Sequence, residues 1–302
     1  MTAPARVLVT GLGGFAGRHL GPAFAEILPG ATLLPLGCDL TDADAVAVRV
    51  REARPDACLH LAAIAAIGVA SGDPARAWQV NLHGTLALAS ALSRHTPDAT
   101  LVHVSSADAY GRSFAVGMPL DETAPLAPIN VYGATKAAAD LALGAMAGLR
   151  VIRLRPFNHS GPGQSDDFAV SAFARQVARI KAGLQPPVLR AGNLDPERDY
   201  LDVRDVARAY ALAVDRAQAL PNGTILNLAS GVARRIGDVL DALIALAGVA
   251  IAIEPDPARM RPSDIPHASG NAARALDLLG WSPRIAWPRT LAEVLEDWQR
   301  RV

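Results

Sequence analysis

The sequence runs to 302 residues, 51% hydrophobic and 19% charged, enough apolar material for a sizeable core and outside the composition of disordered chains. Its 29 basic residues balance 29 acidic ones without a block of either sign, which excludes the broad basic surface that nucleic acid or an anionic membrane requires. Two cysteines, Cys38 and Cys58, exclude a disulfide framework, and the charge-free stretches at 57–72 and 217–233 fall short of the roughly 20 apolar residues of a membrane span, so a cytoplasmic protein is expected.

In chain order, Val7-Leu8-Val9-Thr10 is a β-rich apolar run that passes directly into Gly11-Leu12-Gly13-Gly14-Phe15-Ala16-Gly17, which reads as strand, turn, helix. A second strand is expected near 32–36, running almost directly into Asp39-Leu40. Apolar runs at 57–62, 101–104 and 151–154 then alternate with alanine-rich helical stretches at 74–93 and 133–147, the pattern of a parallel, doubly wound α/β sheet. Beyond Pro156 the texture changes, and prolines at 162, 186, 187, 196, 221, 255, 257, 262, 266, 283 and 288 break the chain into short elements that suit a smaller lid. No repeat, heptad or low-complexity linker separates the two parts, so a shared interface with a binding cleft is expected.

Gly11, Gly14 and Gly17 follow a strand and open a helix. In that context bare glycines permit a tight turn and let the backbone approach a pyrophosphate, whose charge is met by amides at the helix N-terminus. Asp39 lies about 20 positions beyond, where an acid can hold a free ribose 2′-hydroxyl. Arg18 could instead meet a 2′-phosphate or lie solvated on the surface, so NAD and NADP both remain open.

In Asn130-Val131-Tyr132-Gly133-Ala134-Thr135-Lys136 the tyrosine and lysine stand four residues apart at the start of a helical run, hence on one face. A nearby ammonium favours a phenolate and would bring the tyrosine towards the working range of an acid or base. Ser105-Ser106 ends an apolar strand at the sheet edge where α/β proteins place ligands, as a cap, a turn or a hydroxyl that polarises a substrate oxygen. Asp108 is either a capping or solvated carboxylate or an acid of the cleft. Arg198 and Arg261 are either surface ion-pair residues or the fixed donors a diphosphate needs in a neutral protein. His159 has no companion at ligand spacing, so no metal is expected, and it reads as a cleft-lining hydrogen bonder.

The glycine spacing, with an aromatic residue after Gly14, and the Tyr-x-x-x-Lys pair resemble the extended short-chain dehydrogenase/reductase family. Arg155-Pro156-Phe157-Asn158-His159-Ser160-Gly161-Pro162-Gly163-Gln164 is similar to the same stretch of its bacterial GDP-4-keto-6-deoxy-mannose reductases, as are 192–195, 198–205, 261–264 and 279–283. The resemblance implies a Rossmann-type doubly wound parallel sheet over 1–155 plus about 198–222, and a smaller interleaved substrate-binding α/β domain over 156–197 plus about 223–302. It implies a dinucleotide, NADP or NAD, held by Gly11, Gly14, Phe15, Ala16, Gly17, Ala62, Tyr132 and Lys136, with Asp39-Leu40 as the pair beside the adenine. Ser106, which lies four residues before the Tyr of a Tyr-Gly pair, becomes catalytic together with Tyr132 and Lys136. Asp108, Asn158, Arg198, Arg261 and Asp264 fall on the nucleotide-sugar side, and a homodimer through 74–93 and 133–147 is implied.

The expected reaction is reduction of a 4-keto sugar. Related 4,6-dehydratases carry an Asp or Ser and then a Glu where this chain has Ala107 and Asp108, and Ala62-Ala63-Ile64-Ala65-Ala66 is apolar where many relatives are polar. A dehydratase or epimerase that keeps NAD tightly bound is the alternative, and a non-catalytic dinucleotide-binding regulator is the alternative of another class.

Overall fold

The computed structural model describes residues 4–260 and 265–302. The first half gives β1 (Arg6–Thr10), α1 (Leu20–Ile27), β2 (Thr32–Pro35), α2 (Ala43–Ala53), β3 (Ala57–His60), α3 (Ile67–Gly72), α4 (Pro74–Trp78), a π-helical turn (Gln79–Gly84), α5 (Thr85–His95), β4 (Thr100–Val104), α6 (Val131–Gly144) and β5 (Arg150–Pro156). The second gives β6 (Asn158–Ser160), α7 (Ala169–Lys181), β7 (Val188–Ala191), β8 (Glu197–Asp202), α8 (Val203–Asp215) and β9 (Ile225–Leu228). It closes with β10 (Ala233–Arg235), α9 (Ile236–Ala247), β11 (Ala252–Pro255), β12 (His267–Ala268), α10 (Ala273–Leu279) and α11 (Trp287–Arg301).

The principal sheet is parallel, in the order β2-β1-β3-β4-β5-β9. Its central strands carry apolar residues on both faces because helices cover both. Val7, Val9, Leu59, Val102 and Ile152 face a core shared with α1, α8 and the fully buried Trp281. Leu8, Cys58, Leu101 and Val151 alternate to the other face, under α2, α5 and α6. Among the described residues no strand lies outside β2: the chain turns at 36–42 straight into α2, as the short segment before Asp39 leads one to expect. Strand order reverses between β1 and β3, and the crevice beyond their C-terminal ends is where an open α/β sheet binds ligands.

The smaller part builds on β8, which pairs with β6, β10 and β12, while β7 and β11 form a separate parallel pair. Helices α7, α9 and α11 close over a second core of Phe173, Leu240, Leu243, Leu291 and Trp298. Sheet membership departs from the expected segment limits at two strands. The stretch 223–302 sends the largely apolar β9 back to the principal sheet, and the polar strand β8, most of which lies in the stretch expected there, centres the smaller one. Among the described residues no helix is long and apolar enough to cross a membrane.

Candidate active site

The glycine loop is shaped by two close approaches. Gly11 has φ +73°, and a Cβ there would stand 2.9 Å from the Ala62 amide nitrogen. A Cβ on Gly17 would collide with the carbonyls of Gly11 and Leu12. Thr10 Oγ1 accepts from the Leu61 and Ala62 amides at 3.1 and 3.0 Å, which pins the end of β3 beside the loop. Gly13 and Gly14 are exposed, and a Cβ on Gly13 would meet nothing within 4 Å, so the backbone at the switch point borders an open cradle. Phe15 and Ala16 are half-buried; the Phe15 ring stacks on His159 at 6.1 Å and joins the loop to the segment after β5.

At the far end of the cradle, the Asp39 carboxylate accepts from the Thr41 amide and hydroxyl at 2.9 and 2.8 Å and meets Arg76 at 3.4 Å. The Thr41 amide leads in holding its pKa below the usual carboxylate range, followed by the Thr41 hydroxyl and Arg76. Leu40 is buried and packs where Gly84 leaves room for it.

Asn130 caps α6, its side-chain oxygen accepting from the Gly133 amide at 2.7 Å, which sets Tyr132 and Lys136 in the first turns. Lys136 is 3% exposed and its Nζ donates to the Val104 carbonyl at 2.5 Å. Burial lowers its pKa to about 8, against the pull of Asp140. Ser106 Oγ accepts from the Asp108 amide at 3.1 Å and lies 3.4 Å from its carboxylate. Burial pushes the Asp108 carboxyl up, against Arg198 and Ser106. Spacing alone suggests a lysine lowering the tyrosine, but Tyr132 titrates above its ordinary value. Burial is the first cause and the Asp108 charge the second, with Ser106 opposing, while the Lys136 ammonium is directed to a backbone carbonyl.

A row of polar side chains under this corner was not visible in the sequence. His60 bonds Thr10 Oγ1 at 2.6 Å and Thr85 Oγ1 at 2.8 Å, and burial lowers its pKa to about 3. Asn81, in the π-helical turn, accepts from the Ile64 amide at 2.8 Å and donates to Thr135 Oγ1 at 3.0 Å; Thr135 donates in turn to the Tyr132 carbonyl at 2.8 Å. These bonds tie the ends of β1 and β3 to the turn that carries Tyr132. The only advance signal was a polar residue closing an otherwise apolar run.

On the substrate side, Asn158 is exposed at the start of β6, in register with Tyr200. Arg198 Nη1 donates to the Glu197 and Ile265 carbonyls at 2.8 and 2.9 Å, close enough to Asp108 for their charges to act on each other. Asp199 clasps the amides of Ser230 and Gly231 at 2.8 and 2.9 Å. His159 Nδ1 bonds the Phe157 carbonyl at 3.1 Å. Arg261 and Asp264 lie outside the described residues. The structure thus gathers Ser106, Asp108, Tyr132 and Arg198 at the edge of the sheet beside the glycine loop.

A family model, GDP-mannose 4,6 dehydratase, matches residues 32–294. The chain belongs to this family. It is one of the extended short-chain dehydrogenases/reductases, NAD(P)-dependent enzymes acting on nucleotide sugars, and the non-catalytic alternative falls away with that assignment. The GDP-6-deoxy-D-mannose reductase of Pseudomonas aeruginosa is 39% identical over 302 residues, with 98% of each chain covered. The solved structure of RMD from Pseudomonas aeruginosa, complexed with NADPH, superposes with a TM-score of 0.89 at 37% identity, over 99% of this chain and 100% of that one. The UDP-glucose 4-epimerase of Thermus thermophilus, in complex with NAD, superposes with a TM-score of 0.85 at 29% identity, over 98% of this chain and 100% of that one.

Proposed function

We propose that this family member reduces the C4 ketone of a nucleotide 4-keto-6-deoxy sugar, taking GDP-4-keto-6-deoxy-D-mannose to GDP-D-rhamnose with NADPH or NADH. The observation that carries the reading is the pairing of Ser106 with a tyrosine kept protonated by burial, beside an apolar Ala107. A reductase needs a proton donor in its resting state, and Tyr132 is held in that form.

The open cradle above Gly13, and the backbone-lined floor that Gly11 and Gly17 allow, fit a dinucleotide pyrophosphate. When bound, the nicotinamide supplies the hydride. The chain's own residues do the rest. Ser106 hydrogen-bonds the C4 oxygen, Tyr132 gives that oxygen its proton and is reprotonated from solvent, and Lys136, one turn along α6, holds the dinucleotide. Arg198 and Asn158 hold the diphosphate, joined by Arg261, and Asp264 takes the ribose. Similarity to the Pseudomonas aeruginosa reductase supports the substrate choice. The same reading makes the enzyme a cytoplasmic homodimer through the helices at 74–93 and 133–147, a mass that light scattering reads directly.

The specific observation favouring a dehydratase is Asp108, an acid beside Ser106 whose pKa is raised by burial. Incubation with GDP-4-keto-6-deoxy-D-mannose and reduced cofactor, and in parallel with GDP-D-mannose, separates the two. Stoichiometric oxidation of the cofactor against sugar is expected; a changed sugar without net oxidation would sink the reductase reading.

A further inference from the structure

The corner of the cradle where β2 ends has a charge arrangement that the catalytic reading does not use. In a doubly wound sheet this corner receives the adenosine ribose, and an acid there accepts from the free 2′-hydroxyl of NAD. Here the strand runs out through Leu36-Gly37-Cys38, and the two nearby acids are engaged elsewhere. Asp39 is bonded twice to Thr41 and meets Arg76, and Asp42 caps α2 by accepting from the Ala45 amide at 3.0 Å.

Two arginines hold the corner instead. Arg49 reaches back from α2, its Nε 3.1 Å from the Leu36 carbonyl and its Nη2 3.0 Å from that of Pro35. Arg18 sets its Nε on the Gly13 carbonyl at 2.9 Å. The Leu36 amide bonds Val9 at 2.9 Å, so both anchors stand at the C-terminal end of the β1–β2 pair. Among the described residues neither guanidinium pairs with a carboxylate. Each is fixed through neutral carbonyls while Arg18 keeps both terminal nitrogens, and Arg49 one, for a further acceptor. Two oriented, uncompensated guanidinium groups suit a phosphate dianion, which takes charge-assisted and bidentate bonds from arginine.

We propose that Arg18 and Arg49 clamp the 2′-phosphate of NADP(H), so that this chain selects NADP(H) over NAD(H). The proposal rests on the dinucleotide reading of the cleft and adds the choice which that reading leaves open.

Calorimetric titration of the sugar-free protein with NADP⁺, NAD⁺, 2′,5′-ADP and 5′-AMP tests it without turnover. The 2′-phosphorylated member of each pair should bind about tenfold or more tightly, the range expected for losing charge-assisted hydrogen bonds. Arg18→Ala, an exposed substitution away from any core, and Arg49→Ala should each erode that ratio severalfold and leave NAD⁺ affinity within about twofold. Arg49→Lys, which keeps the charge, should retain part of it and guards against disturbance of β2. Equal affinity for both cofactors, preference for NAD⁺, or parallel weakening of both by the variants would overturn the clamp. Tight NAD⁺ binding without NADP⁺ binding defeats the clamp alone, whereas failure to bind either dinucleotide defeats the reading of the cleft as well.

Discussion

Lys136 and Asp140 stand one turn apart on the buried face of α6, and the protein treats their charges in opposite ways. Asp140 is fully buried and accepts from Arg155 twice at 2.9 Å and from Arg153 at 3.1 Å, so that although burial pushes its carboxyl up, the arginines outweigh it and leave its pKa low. Arg155 continues to the Tyr110 hydroxyl at 3.0 Å, which donates to Asn227 at 2.7 Å, tying α6 to β5 and β9. Among the described residues Lys136 has no such hydrogen-bonded counter-ion. Its ammonium meets one carbonyl, and its pKa falls to about 8. A paired buried charge holds the fold; a buried charge left without a counter-ion is available to exchange protons, and only the second lies beside Ser106 and Tyr132.

The largest effect should come at the functional end. Tyr132→Phe removes the proton donor and should lower kcat by about 10²–10⁴-fold, the range for loss of general acid catalysis, while NADP⁺ binding and thermal unfolding stay near wild type. Retained turnover would end the contrast between the two ends of the helix. At the structural end, Asp140→Ala strands two arginines in the interior and should cost about 3–5 kcal/mol in urea unfolding, a figure typical of broken buried pairs. The pH sign follows from its lowered pKa. Its contribution is present above the unfolded carboxylate pKa of about 3.9 and is lost as the pH falls through the lower folded value.

Lys136 should behave in reverse. Its folded pKa of about 8 lies below the unfolded 10.5, so stability should rise as pH climbs between those values, and at neutral pH the charged lysine costs about 3 kcal/mol. Lys136→Met should therefore abolish turnover yet raise the unfolding free energy by up to about 3 kcal/mol. A variant that loses both stability and activity would show the lysine to be a structural residue like its neighbour.

What could be read from the chain divides along the same line. The strand-turn-helix at Gly11 to Gly17 and the four-residue step from Tyr132 to Lys136 are local patterns, so spacing alone locates them. Pairings across the sheet are not local. Arg155 stands at the head of a stretch assigned to substrate, but in β5 it shares the parity of Val151 and Arg153 and turns under α6 to Asp140. His60 and Thr10 become partners only once β1 and β3 are in register. The electrostatic meeting of Asp108 with Arg198 depends on β8 coming back from the smaller sheet. Sequence spacing likewise predicted the direction of the Lys136 effect on Tyr132 without the Val104 carbonyl, which intercepts the ammonium.

Asp108 is the carboxylate that neither end of α6 claims, and its substitution should have the smallest effect while bearing on the sharpest question. Its amide and carboxylate are both within reach of Ser106, and burial favours its uncharged form, against Arg198 and Ser106. Its carboxylate lies 3.4 Å from Ser106 Oγ. It suits an acceptor that steadies the Ser106 hydroxyl, a task an amide can share. Asp108→Asn should therefore lower kcat/KM for the 4-keto sugar by less than about tenfold, equivalent to about 1.4 kcal/mol, and flatten any pH dependence that follows its ionisation. A loss of a hundredfold or more, in an enzyme that changes the sugar with no net oxidation of the cofactor, would make Asp108 a base and move the chemistry from C4 to C5. The unpaired lysine one helix away would then serve an enzyme that regenerates its nicotinamide instead of consuming it.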